Sequence, residues 1–446
     1  MAFGVDGLVS GMNTGAMVDA MVGVYSLPQK AIEADIEDTS KTKAAIASVI
    51  AKLDKLDDAI EDIEDEDDFK VYKAEYEETD AFSVTTENGA IPGNYTIQVN
   101  SLAESELEIS DGFSDKSSTG VIGEGTLSLT YAGTTTDITV DDSNSSLSKV
   151  AELLDDIEGI SSYVLDTGSD TDPYRLVVQG EDTGADNTVV IDASALSGGT
   201  DLSFTEQRSA ADAEIEINGI TVKDSDNTFG TAVPGLDIAI YQTTDSAENV
   251  AVTLDTETIE SNVQSIVNSY NDVVSYVNQM SVYNSELGLT GPLVGETTVM
   301  RVLRKLSSVV STEFTSGDDV NSLTLIGIKT ESDGTLSLNS GDFQDSLEDY
   351  LDDVVALFTD SDGFGEKMRS TVDVYTDTVD GTLESYKDSL EDRIRSLEDD
   401  VTAYDYRIKR YEERLRAQFS AMESLLGGMQ GTSNYMSAFL GGQNKK

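Results

Sequence analysis

The C-terminal part of the chain carries an uninterrupted heptad pattern, and no other feature limits the fold so strongly. One row of positions is Leu383, Leu390, Leu397, Tyr404, Tyr411, Gln418 and Leu425. The second is Lys387, Ile394, Val401, Ile408, Leu415, Met422 and Met429. Residues within a row are seven apart, and only Lys387 and Gln418 are polar. An apolar repeat of 3.5 residues, sustained this long, specifies a helix supercoiled against another helix. A lone chain would leave part of this seam bare, so assembly is expected. Tyr404, Tyr411 and Gln418 are the unusual seam residues; such positions cost stability and can set register and copy number. Beyond the last heptad step, Gly427, Gly428, Gly431, Gly441 and Gly442 are expected to break the helix. Tyr435, Met436, Phe439 and Leu440 would then lie on a tail that is either a disordered end or a docking peptide that folds on binding.

A partner for the seam lies near the other end. Ile46, Val49, Leu53, Leu56, Ile60 and Ile63 step by threes and fours, which places them on one helix face. Pro28 reads as the first turn of that helix, and the acidic run from Glu61 to Asp68 as its end. Residues 78–254 differ in kind, being rich in Gly, Thr, Ser, Asp and Val. Short alternating runs such as Tyr95–Val99 and Thr126–Tyr131, bounded by turn residues, predict half-buried antiparallel strands. One helix interrupts them through Leu147, Val150, Leu154 and Ile157, capped by Ser145-Ser146. Helical spacing returns at Ile259–Met280 and Val299–Val310. A hairpin is predicted from Leu323-Thr324-Leu325 and Leu336-Ser337-Leu338 around Asp333-Gly334. Phe343, Leu347, Leu351, Val354 and Phe358 form a further stripe. Helical ends around a β-rich middle predict an antiparallel return, with a helical leg and a globular head.

Charge narrows the partners. The chain holds 85 acidic and 28 basic residues, a formal charge of −57. Residues 383–446 are nearly balanced at 10 basic and 11 acidic, which leaves 18 and 74 for residues 1–382. Charges are therefore mixed where helices must pack and one-signed elsewhere. Such a surface repels nucleic-acid phosphates and anionic lipid. It also strains itself in dilute buffer and relaxes as salt shortens the Debye length, which points to a marine or halophilic source. No apolar run approaches the roughly 20 residues of a membrane span. The N-terminus lacks the basic and apolar regions of a secretory signal peptide.

Chemistry is narrowed further. Cys, His and Trp are absent, which removes disulfides, thiolate chemistry and the commonest general base and metal ligand. Paired acids such as Asp141-Asp142 and Asp155-Asp156 lie among Ser, Gly and more Asp, where a solvated surface is expected and a raised pKa is not. The Asp-rich runs 166–172 and 360–366 lack the spacing of an EF-hand loop. Gly427-Gly428 reads as a turn and not a phosphate loop. No catalytic, cofactor or metal residue is expected.

Several blocks occur in order along the chain: Gly7-Leu8-Val9-Ser10-Gly11-Met12-Asn13-Thr14, Pro92–Ala103, Ile217–Val222, Asn227-Thr228, Val233-Pro234-Gly235-Leu236, Gly291–Thr297, Leu325–Ile328 and Arg416–Glu423. Together they resemble the flagellar hook-associated protein 2 family. Residues 125–191 also resemble the β-β-α-β repeat inserted in flagellins and their relatives. Met12 and Asn13 stand where the family often has Leu and Asp. The resemblance implies an α+β, multidomain fold: terminal helices in coiled-coil legs, a helical-bundle domain and an inserted antiparallel β-rich head. Residues 1–42 and 383–446 would form the leg. Residues 43–77 and 255–382 would form the helical domain with its hairpin. Residues 78–108 and 211–254 would form one head domain, and 109–210 a second.

It further implies a filament cap at the distal tip of the bacterial flagellum. The protein would leave the cell through the type III flagellar route and hold a cytoplasmic export chaperone at its C-terminal helix. It would work as a homo-oligomeric ring of several copies that helps exported flagellin fold and insert, without covalent chemistry. Expected partners are flagellin and hook-associated filament subunits; nucleic acid and membrane insertion are not. Leu8, Met17, Met21, Tyr404, Tyr411, Gln418, Phe419, Met422, Leu425, Leu426, Phe439 and Leu440 are the expected filament or subunit contacts. The alternative is an adhesin at the tip, binding host glycan or mucin through the β head. A hydrolase, and another axial protein such as flagellin or a junction protein, are weaker readings.

Overall fold

The computed structural model describes residues 11–284, 289–317 and 319–443. The chain begins with α1 (Thr14–Tyr25) and α2 (Leu27–Glu61). Asn13 caps α1 by accepting a hydrogen bond from the Ala16 amide at 2.9 Å. Pro28 sits in the first turn of α2, where its missing amide hydrogen costs nothing. The stripe Ile46 to Ile63 is buried to 0–1% exposure at all six positions.

Residues Asp65–Ile259 form one compact unit. It contains α3 (Glu66–Phe69), β1 (Tyr72–Tyr76), β2 (Phe82–Thr86), β3 (Gly93–Ser101), β4 (Leu107–Ser110), β5 (Gly125–Tyr131) and β6 (Thr134–Val140). Next come α4 (Leu147–Asp155), β7 (Ile160–Asp166), β8 (Tyr174–Gly180), β9 (Val189–Asp192) and β10 (Phe204–Arg208). The unit ends with β11 (Ala213–Ile217), β12 (Ile220–Asp224), β13 (Thr228–Val233), β14 (Leu236–Ile240) and β15 (Glu248–Leu254). A five-stranded sheet in the order β1-β15-β3-β11-β12 and a three-stranded sheet β13-β14-β2 share one core. Along β11 the pattern is strict: Ala213, Ile215 and Ile217 point inward while Glu214 and Glu216 point away. A second core lies among the sheet β10-β4-β8-β7, the sheet β6-β5-β9 and α4, with Leu127, Leu129, Leu147, Val150, Leu154 and Leu176 at its centre. Burying each such side chain contributes roughly 1.5–3 kcal/mol.

The block Val233-Pro234-Gly235-Leu236 has a physical reason. Val233 pairs with Leu236, so Pro234 and Gly235 occupy the corner of the β13–β14 hairpin. Gly235 has φ 71°, and a Cβ there would lie 2.4 Å from the Ala90 backbone. Only glycine satisfies both the left-handed backbone and the space.

The second unit comprises Met1–Glu64 and Glu260–Lys446. Helix α5 (Thr256–Met280) is followed by a short hairpin of β16 (Tyr283–Asn284) and β17 (Leu289–Thr290), then by α6 (Thr297–Val310). A second hairpin joins β18 (Ile328–Thr330) and β19 (Leu336–Leu338). Helices α7 (Ser340–Asp349), α8 (Leu351–Thr359), α9 (Phe364–Thr376) and α10 (Thr382–Gln443) complete the chain. Phe364 meets Phe358 and Phe314 edge-on at 5.7 and 6.3 Å. The Arg369 guanidinium of α9 reaches Asp57 and Glu61 of α2, at 3.3 and 3.9 Å, and also Glu64. The α+β, multidomain class expected from the sequence is the class observed.

Three local expectations require correction. The hairpin uses Ile328–Thr330 as its first strand, not 323–325. Gly327, at φ 85°, closes the preceding turn, and Leu325 is 54% exposed while Leu323 and Ile326 are buried. The stripe Phe343 to Phe358 is divided between α7 and α8, because Tyr350 leaves helical geometry at φ −139° and ψ 38°. Finally, the glycines from Gly427 onward neither turn nor end α10, which runs to Gln443. Each glycine costs about 1 kcal/mol of helix propensity, but none removes a backbone donor, and no proline follows.

Candidate assembly surface

The heptad seam of α10 faces α2 and α1 in an antiparallel register. Lys43 reaches Glu391 at 3.6 Å, and Gln29 donates to Asp405 at 2.6 Å. Tyr25 stacks on Tyr411, and Asp19 pairs with Arg416 at 3.6 Å. As one partner's number falls, the other rises by nearly the same amount, which is the signature of two helices running in opposite directions. Leu383, Leu390 and Leu415 are buried, and Leu397, Tyr404, Ile408 and Tyr411 half-buried. From Gln418 onward the seam opens: Met422 is 36% exposed, Leu425 66% and Met429 63%.

At the junction of α1 and α2 the seam widens into a groove of about 380 Å³, lined by Met21, Val24, Tyr25, Pro28, Tyr404, Arg407 and Tyr411. The tyrosines supply flat apolar walls with a polar edge. Arg407 lies over the Tyr404 ring at 4.5 Å and Arg414 over Tyr411 at 5.4 Å, so cations rim the groove.

Met17 and Met21 lie on α1 at 44% and 41% exposure. Met21, Tyr404 and Tyr411 are brought together at the groove. Gln418, Met422 and Leu425 are exposed, and Phe419 and Leu426 half-buried, so these five are strung along α10. Leu8 lies outside the described residues, as do the side chains of Phe439 and Leu440. Sequence reasoning missed Tyr25 and the arginines over the seam tyrosines. Tyr25 follows Met17 and Met21 at four-residue steps, and that spacing was the available signal.

Among the described residues, one carboxylate group has the closeness a cation needs: Glu106, Glu108 and Glu206, with oxygens within 4.8 Å of one another. Glu108 and Glu206 face each other across β4 and β10. Burial, with Glu106 and Glu206 adding their charge, pushes the Glu108 carboxyl up to about 6. In the run 166–172, Asp166 instead accepts the Gly168 amide at 3.0 Å, which makes a turn. No helix among the described residues is long and apolar enough to cross a membrane.

Residues 10–106 match the family model for the flagellar hook-associated protein 2 N-terminus, and residues 210–431 that for its C-terminus. Flagellar hook-associated protein 2 of Escherichia coli K12 is 27% identical over 322 residues, 66% of this chain and 67% of that one. The A-type protein of Pseudomonas aeruginosa is 24% identical over 471 residues, 98% and 97% of the two chains. The crystal structure of the D1-D2-D3 domains of the Escherichia coli flagellar cap protein FliD superposes with a TM-score of 0.65 at 25% identity, covering 78% of this chain and 99% of that one. On the two family models, which together span most of its length, the chain belongs to the flagellar hook-associated protein 2 family.

Proposed function

We propose that the protein caps the distal end of the flagellar filament as a ring of several copies and guides exported flagellin into place. The observation that carries this reading is the seam of α10, covered as far as Leu415 and bare from Gln418. An apolar helix face exposed at Met422, Leu425 and Met429 is costly in water and is satisfied by another helix. Filament subunits and neighbouring copies would supply that helix. Export by the type III route brings the chain to the tip, and a chaperone on the C-terminal helix would cover the same face beforehand. The remaining groups suit a structural role: carboxylates dominate, and the groove at Tyr404 and Tyr411 offers flat apolar walls with a cationic rim.

The test is removal of residues 427–446 in a motile strain. Filament elongation is expected to stop while the isolated truncated protein keeps the thermal transition of its β-rich unit. Filaments of normal length from the truncated protein would refute the assignment.

A further inference from the structure

In a chain of charge −57, helix α6 stands apart, because it carries three cations and no carboxylate. Arg301, Arg304 and Lys305 are exposed, and their spacing sets them on one face. Helix α7 carries the mirror pattern: Asp345, Glu348 and Asp349, also exposed and with the same three- and four-residue steps. Among the described residues none of these six side chains forms an ion pair within the chain. Glu348 and Asp349 also occupy the last turn of α7, which holds no basic residue. Carboxylates at the negative end of a helix dipole are unfavourable unless a cation answers them.

We infer that the α6 face of one copy docks on the α7 face of a second copy of this chain. Both faces belong to the helical unit, and each carries an exposed apolar anchor, Met300 beside the cations and Tyr350 beside the carboxylates. A thioether against an aromatic ring is a favourable contact, and charged rims around it set register. A cationic face does not dock on its own copy, so α6 must meet α7; where each neighbour takes only one of the two faces, repetition closes a ring or propagates. Bodies this acidic repel one another, so a local meeting of opposite charges is also what brings two copies together. The inference takes its choice of partner from the multi-copy reading above.

Two variants of the full chain test it by sedimentation velocity at one ionic strength. One carries Arg301→Glu, Arg304→Glu and Lys305→Glu; the other carries Asp345→Lys, Glu348→Lys and Asp349→Lys. Each alone is expected to self-associate at least about tenfold more weakly than the unaltered chain, and their equimolar mixture to recover. The α7 variant is decisive, because it sheds six units of net negative charge from −57 and still should associate less. Unchanged self-association of either variant, or failure of the mixture to recover, overturns the contact. Should a triple variant lose its thermal transition, Arg304→Gln and Glu348→Gln replace it. Each is then expected to weaken association several-fold, and the two effects to be non-additive; additive or absent effects overturn the contact. If the unaltered chain stays monomeric at every concentration, the multi-copy reading falls with it. If it assembles and the variants are indifferent, the docking faces alone are wrong.

Discussion

The ring of Tyr25, at the end of α1, stacks on the ring of Tyr411, in the seam of α10, with centroids 4.4 Å apart and planes inclined by 24°. The pair joins α1 to α10, and Arg414 lies over the Tyr411 ring at 5.4 Å. Tyr411→Ala should loosen α1 from α10. A double-mutant cycle with Tyr25→Ala should return a coupling of about 0.5–1.5 kcal/mol, read from denaturant unfolding of the helical unit. Additive effects would mean that the stacking contributes nothing.

Arg369 is the cation on which the C-terminal end of α2 depends, because it answers Asp57, Glu61 and Glu64. Burial raises the Asp57 carboxyl, and the Arg369 charge opposes that rise. Arg369→Met leaves three carboxylates crowded without a counter-ion. The helical unit should lose about 1–3 kcal/mol, and most of the loss should reappear as stability when Asp57→Asn is added.

Gly235→Ala forces a side chain onto a left-handed residue 2.4 Å from the Ala90 backbone. A loss of at least about 2 kcal/mol is expected in the β-rich unit. A thermal midpoint unchanged within a degree or two would contradict the turn.

Glu108 gives a pH dependence of known sign. Its carboxyl is raised from 4.5 to about 6 in the folded chain, so between those values the native state binds more protons than the unfolded state. Stability from this group is present below pH 4.5 and is lost as pH rises through 6. Glu108→Gln should therefore stabilise the β-rich unit at pH 7, by less than about 1 kcal/mol after solvent screening, and the gain should vanish near pH 4. Subtracting the two pH–stability curves isolates this group from the carboxylates whose pKa values are lowered.

A formal charge of −57 is expected to make salt a stabiliser. Raising NaCl from about 0.15 M to 2 M should lift the melting temperature by about 5 °C or more, with the gain concentrated below 1 M, where the Debye length shortens fastest. A flat or falling curve would remove self-repulsion, and with it the halophilic reading.

Periodicity made the helices legible. Ile46 to Ile63 and the two heptad rows showed which faces meet, since a buried stripe must repeat with the helix. The alternation in Tyr95–Val99 and Thr126–Tyr131 was equally legible, and these runs lie in β3 and β5. What periodicity cannot show is which distant residue arrives opposite. Glu108 and Glu206 are separated by a helix and several strands, and only the sheet order places them together. Tyr25 lies beyond any heptad row, and its stacking on Tyr411 follows from the antiparallel return. Glycine was misleading in α10, where Gly427 and Gly428 are helical, and decisive at Gly235, where a positive φ and a close backbone demand it. Composition names the residue, while neighbours decide its use.

The unbroken run of α10 past Gly427 has a kinetic consequence. Its early turns are clamped by other helices, whereas its last turns rest on glycine-rich backbone alone. Amide exchange should be slow around Leu383 and quicken toward Gln443, because glycine lowers the cost of local opening. Any protein that grips those terminal turns will slow their exchange, so protection of the last fifteen or so amides reports occupancy of the tip one residue at a time.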